Sequence, residues 1–89
     1  VARETVLEKA LADALAQRLR ELRATSELTQ EQVALRAGIS RNQYQLYESA
    51  LSDRDKGTPA NPTMTTLVEL AHALGCTVED IVRGLSSVR

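Results

Sequence analysis

The sequence predicts an all-α fold of five helices. Three observations predict it. Apolar residues recur at spacings of three and four along most of the chain, which places them on one face of a helix. Four segments open on a Thr or Ser that can cap an exposed helix end, namely Thr29, Ser40, Thr63 and Thr77. Gly38 and Gly75 stand where two of the apolar runs stop.

The first helix is expected over residues 4–25. Leu7, Leu11, Leu15, Leu19 and Leu22 follow one another at steps of four, four, four and three, alanines raise helix propensity between them, and neither Pro nor Gly interrupts. The second begins at Thr29, where Thr29-Gln30-Glu31-Gln32 has the capping-box pattern; Val33, Ala34 and Ala37 are its apolar face, and Gly38 can end it in a left-handed cap. Ser40-Arg41-Asn42-Gln43 repeats the capping-box pattern and opens the third helix, with Tyr44, Tyr47 and Leu51 as its apolar positions, giving a span of 40–50. Residues 52–62 are polar, with one Gly and two Pro, and read as a loop. Thr63 then caps a fourth helix with Met64, Leu67, Leu70, Ala71 and Leu74 on one face, ended by Gly75. Thr77 caps a short fifth helix carrying Val78, Ile81, Val82 and Leu85, with Glu79 and Asp80 in the first turn, where the helix dipole favours them. The tail, residues 86–89, is expected to fray. No internal repeat and no convincing strand are present.

Composition narrows the classes. The chain has 89 residues, of which 43% are hydrophobic, enough for one folded domain. Without Trp or Phe the core must come from Leu, Val, Ile, Ala and two Tyr. One Cys and one His leave too few ligands for a structural zinc site, and the single Cys76 cannot form an internal disulfide, which suits a reducing compartment. No apolar run approaches the ~20 residues of a membrane span, and no signal-peptide pattern opens the chain. These features point to the cytoplasm, with no membrane partner. His72 has no nucleophile at a motif spacing and no phosphate-binding Gly loop exists, so neither enzymatic activity nor a cofactor is expected. The net charge of −1 weighs mildly against nucleic acid, unless basic residues gather on one face.

The informative stretch is Thr29 to Glu48. Two short helices joined by a tight turn require a small residue where they cross, a turn residue that tolerates positive φ, an apolar plug, and apolar residues on the inner face of the second helix. Ala34, Gly38, Ile39, and Tyr44 with Tyr47 supply these in register, as a helix-turn-helix does. The chain resembles the Cro/C1-type (lambda-repressor-like, XRE) helix-turn-helix family from about Leu15 to Leu85. The resemblance rests on Arg18-Leu19-Arg20-Glu21-Leu22-Arg23, Leu28-Thr29-Gln30-Glu31-Gln32-Val33-Ala34, Ala37-Gly38-Ile39-Ser40, Asn61-Pro62-Thr63 and Leu70-Ala71-His72-Ala73-Leu74-Gly75-Cys76-Thr77-Val78-Glu79-Asp80-Ile81, in that order and spacing.

The resemblance implies a five-helix DNA-binding domain over residues 15–85, with its helix-turn-helix unit at 29–49 and a helical extension at 1–14. It implies that the third helix enters the major groove, where Arg41, Asn42, Gln45 and Ser49, with Ser40 and Gln43 at the flank, meet the DNA. Leu46 stands near a base-reading position and is open to two readings, contact with a thymine methyl or the rim of the core. Gln30 matches a position that touches backbone phosphate. Arg23 and Glu48 match a pair that forms a structural ion pair. The implied partners are double-stranded DNA with a two-fold operator and a second copy of the chain, and the implied role is transcriptional regulation, with repression the expected sign. The alternative is a protein-interaction module on the same fold, meeting a toxin or a transcription component. Arg18, Arg20, Arg36 and Arg41 speak for DNA by their place around the helix-turn-helix.

Two departures from the family pattern stand out. The connection from Glu48 to Asn61 is longer than usual, and reads either as an extra DNA or partner contact or as a tolerated insertion. Leu7 and Leu11 have little to pack on within the standard five-helix core, so residues 4–14 read as a dimer surface, as an exposed or frayed helical extension, or as packing on the fifth helix. Two smaller features complete the reading: Glu27 stands where a Gly usually ends the first helix, and Cys76 is expected to pack on the core.

Overall fold

The computed structural model describes residues 2–85, and side chains from residue 6 onward; the tail at 86–89 lies outside the described residues. Five helices follow in order: α1 (Ala2–Ser26), α2 (Gln30–Ala37), α3 (Arg41–Glu48), α4 (Met64–Leu74) and α5 (Val78–Val82), the last running into a 3-10 turn at Arg83–Leu85. The predicted caps form. Thr29 and Thr77 each make a complete capping box, and Thr63 accepts from the Thr66 amide. Ser40 makes half of its expected box: its hydroxyl accepts from the Gln43 amide, and no return bond from the Gln43 side chain is present. Gly38 and Gly75 close α2 and α4 at φ 74° and 71°, the left-handed region that favours glycine.

Between α3 and α4 the expected loop contains a small antiparallel hairpin, β1 (Leu51–Asp53) and β2 (Thr58–Pro59). Neither strand is long enough to carry a readable period-two pattern, which is why strands were not expected. The turn is organised by Asp53, whose carboxylate accepts the amides of Asp55 (2.9 Å) and Lys56 (3.2 Å). Helix α3 therefore ends at Glu48, short of residue 50. Leu51, expected on its inner face, lies in β1 instead.

The core gathers Leu15, Leu19, Val33, Ala34, Tyr44, Leu70 and Ile81. Tyr44 and Tyr47 are 0% and 8% exposed, so both are core side chains, as their inner-face spacing implied. Met64, expected on the inner face of α4, is 82% exposed in its first turn.

Helix α1 is the spine, and polar side chains stitch it to its neighbours. Arg18 Nε donates to the Asp80 carbonyl at 2.7 Å, Arg20 Nη1 to the Glu48 carbonyl at 2.5 Å, and Ser26 Oγ to the Leu74 carbonyl at 3.1 Å. The last two satisfy carbonyls at the ends of α3 and α4, which have no partner within their own helices. The start of α1 is continuous with the rest of it. Leu11, expected to find little to pack on, is half-buried and shares a groove with Ala60, Pro62, Leu67 and Leu85; Val6 and Leu7 remain 67% and 43% exposed.

Candidate nucleic-acid interface

The site begins with a left-handed residue. The chain leaves α1 through Glu27 at φ 57°, taking without glycine the conformation a glycine would supply there. This turn brings Leu28 under Arg23, whose Nη1 donates to the Leu28 carbonyl at 3.1 Å, and sets Thr29 to cap α2.

Arg23 and Glu48 form the ion pair the resemblance implied. Arg23 Nε donates to Glu48 Oε2 at 2.6 Å and Nη2 to Oε1 at 3.2 Å, a two-pronged geometry. The Glu48 side chain is 4% exposed and that of Arg23 26%. Burial pushes the Glu48 carboxyl up, but hydrogen bonds, Arg23 foremost, outweigh it and hold the group below its ordinary value. The Tyr44 hydroxyl is buried beside this pair without a hydrogen bond of standard geometry. Burial, then the Glu48 carboxylate, pushes its pKa upward, so it stays protonated.

The pair extends toward the surface. Gln30 Nε2 donates to Glu48 Oε1 at 2.9 Å, and Gln45 Nε2 donates to Gln30 Oε1 at 3.2 Å. Two side chains expected to meet DNA separately, Gln30 at phosphate and Gln45 at bases, are thus joined to each other and to the ion pair. The amide orientation of each is set from within. Both are half-buried, as is Gln43.

The other expected contact residues divide by exposure. Ser40, Arg41, Asn42 and Ser49 are exposed, and Ser49 is the residue that ends α3 rather than part of it. Leu46 is 7% exposed and lines a groove beside Asn42, a burial that favours the rim of the core over contact with a thymine methyl. Arg41 faces an open groove of about 710 Å³ with Gln30, Gln32 and Leu35, in which Glu27 and Glu31 also stand. Asn42 lines a second groove of about 280 Å³, whose opposite wall is the hairpin segment Ser52 to Asp55.

The arginines expected to make the face basic divide as well. Half-buried Arg18 and exposed Arg20 each give one hydrogen bond to a carbonyl within the fold. Arg36 and Arg41 are exposed. The sequence had no local signal for this split, since it depends on which carbonyl each side chain reaches after folding.

Other chemistry finds little footing. Among the described residues no group of three His, Cys, Asp or Glu side chains could hold a metal ion. Burial raises the pKa of the Cys76 thiol, with the charge of Asp80 adding to it, the opposite of what a reactive cysteine needs. His72 is exposed on α4. No helix among the described residues is long and apolar enough to cross a membrane.

Comparison with curated proteins and with solved structures finds no match. A family model described as a helix-turn-helix domain matches residues 14–83, most of the chain, and takes in all five helices from Ala14 onward. With α2 and α3 capped, Ala34 buried between the caps of α2 and the two helices joined through Gly38 and Ile39, the chain belongs to the helix-turn-helix domain family.

Proposed function

We propose that the chain is a sequence-specific regulator of transcription of the Cro/C1 type, binding double-stranded DNA as a homodimer in the cytoplasm and acting as a repressor. The observation that carries this reading is the exposed first turn of α3. Ser40, Arg41 and Asn42 stand free of the core there, and the Gln45–Gln30–Glu48–Arg23 chain holds the next polar side chain in one orientation. Arg is suited to guanine O6 and N7, and Asn or Gln to adenine N6 and N7. Gln30 keeps one amide hydrogen for a phosphate oxygen, and Ser49 and Gln43 flank the face. The exposed Val6 and Leu7 at the start of α1 support a second copy, because apolar side chains in that position gain from being covered.

Selection of bound duplexes from a random pool tests the reading. The expected product is a two-fold site with half-sites one helical turn apart, ~34 Å, bound less tightly as salt rises. Arg41→Ala should then relax preference at one or two positions while keeping affinity for unrelated duplexes. A pool that yields no enriched sequence would move the protein-interaction reading, with a toxin or a transcription component as partner, ahead of this one.

A further inference from the structure

We infer that Gln45 presents its amide oxygen to the DNA and so reads an amino base, adenine or cytosine, and that the buried Glu48 carboxylate sets this polarity through Gln30. This rests on the DNA-binding reading and adds to it the kind of base that one side chain accepts. Gln30 and Glu48 are then positioning residues, which act on base choice through Gln45.

The polarity is passed along by hydrogen bonds. A carboxylate only accepts them, whereas a side-chain amide has a donating end and an accepting end. Glu48 is ionised at neutral pH, its carboxyl held below its ordinary value. Arg23 pins that carboxylate from one side through Nε and Nη2, while its Nη1 is fixed on the Leu28 carbonyl. Gln30 must therefore turn its nitrogen toward Glu48, and Nε2 lies 2.9 Å from Oε1. The Gln30 oxygen is left facing α3, where it needs a donor, and Gln45 Nε2 supplies one at 3.2 Å.

With its nitrogen drawn inward, Gln45 has its oxygen to offer. Among the described residues Gln45 Oε1 accepts no hydrogen bond, and the Tyr44 hydroxyl is the one buried side-chain polar atom without a partner, so Gln45 Oε1 is open to solvent. A glutamine free to flip would serve a donor or an acceptor equally well; this one is not free. In the major groove adenine offers N6–H and cytosine N4–H, whereas guanine and thymine offer acceptors. An outward oxygen matches the first two and meets lone pairs on the others. Adenine fits best, because its N7 can take the second hydrogen of Gln45 Nε2.

The experiment selects duplexes from a random pool with the intact chain, then compares affinities for duplexes that differ at one position. The wild-type site should carry an amino base at the position whose preference Gln45→Ala abolishes, with discrimination of about tenfold, the scale of a good base contact. Gln30→Met keeps the length of the side chain and removes both ends of the amide. It should relax that same position by the same factor and leave preference elsewhere. In Glu48→Gln the new amide keeps its oxygen on Arg23 Nε, the shorter of the two bonds, turns its nitrogen to Gln30 and inverts both glutamines. The preferred base at that position should switch to guanine or thymine. A guanine or thymine there in the wild-type site, or a Gln30→Met that weakens all duplexes by one factor with every preference kept, would overturn the inference and leave DNA binding intact. An amino base retained by Glu48→Gln would overturn it too; if a thermal melt shows that variant unfolded, Gln30→Met decides alone. Gln45→Ala with every preference kept would remove Gln45 from base reading and the inference with it. Absence of any enriched wild-type site would overturn the DNA-binding reading beneath.

Discussion

Glu48 is a charge held almost wholly out of water, and two partners from different helices make that tolerable. Arg23 gives it two hydrogen bonds and Gln30 a third. Removing Arg23 leaves the carboxylate buried with one neutral donor. Arg23→Ala should cost about 3 kcal/mol, the low end for a broken buried pair because the Arg23 side chain is a quarter exposed. A thermal melt reads this directly, and an unchanged midpoint would show that the pair is not structural. The same residue sets an acid limb. The folded pKa of Glu48 lies below its ordinary value of 4.5, so the stability it contributes is complete above that pH and is lost as pH falls through the folded pKa. The stability gap between the wild-type chain and Glu48→Gln, measured by urea unfolding, should therefore narrow below pH 4.5; a gap constant with pH would contradict it. The family pattern made this pair legible in the sequence. The links onward to Gln30 and Gln45 were not, because each joins polar residues 15 or 18 apart that carry no pairing signal.

At the level of elements, helix starts were the most legible features, and the α1–α2 joint is one of two places, with Ala50 at φ 64°, where a residue other than glycine is left-handed. A cap acts within three residues of itself, so Thr29, Thr63 and Thr77 could be read one at a time. Glu27 was visible as an irregular choice for its position, and the structure gives the consequence: a left-handed backbone on a residue with a Cβ. Glu27→Gly should relieve ~1 kcal/mol of that strain, less the extra freedom glycine has in the unfolded chain. The expected net is a rise in melting temperature of a few degrees, and a fall would show that the Glu27 side chain contributes more than its backbone costs. The hairpin was missed for the converse reason. Strands of three and two residues have no periodicity, and their pairing exists only because Ala60 is drawn into the core and returns the chain beside Ala50.

Over the whole molecule, charge is distributed by what each cation reaches. The net charge of −1 argued weakly against a polyanionic partner, and the arginine positions argued for one. Folding changes both arguments. It draws Arg18 into a carbonyl contact, ties one nitrogen of the still exposed Arg20 to the Glu48 carbonyl, and leaves Arg36, Arg41, Arg54 and Lys56 exposed. Under the DNA reading the salt slope should fall when exposed Arg36 is replaced and ignore Arg18; a slope that falls in Arg18→Ala as much as in Arg36→Ala would place the interface elsewhere.

The sequence by itself determined the five helices, their capped starts, the glycine turn and the core face of α3. All of these follow from interactions spanning a few residues, where spacing and residue type decide the outcome. Only the tertiary structure decided that Leu46 is buried, that Gln30 and Gln45 are hydrogen-bonded to each other, that α3 stops at Glu48, and that a hairpin stands across from Asn42. Each of those depends on a partner far along the chain, as when Arg18 finds a carbonyl 62 residues away. A side chain's fate there is set by which group lies in reach once the core has closed, and no local pattern records it.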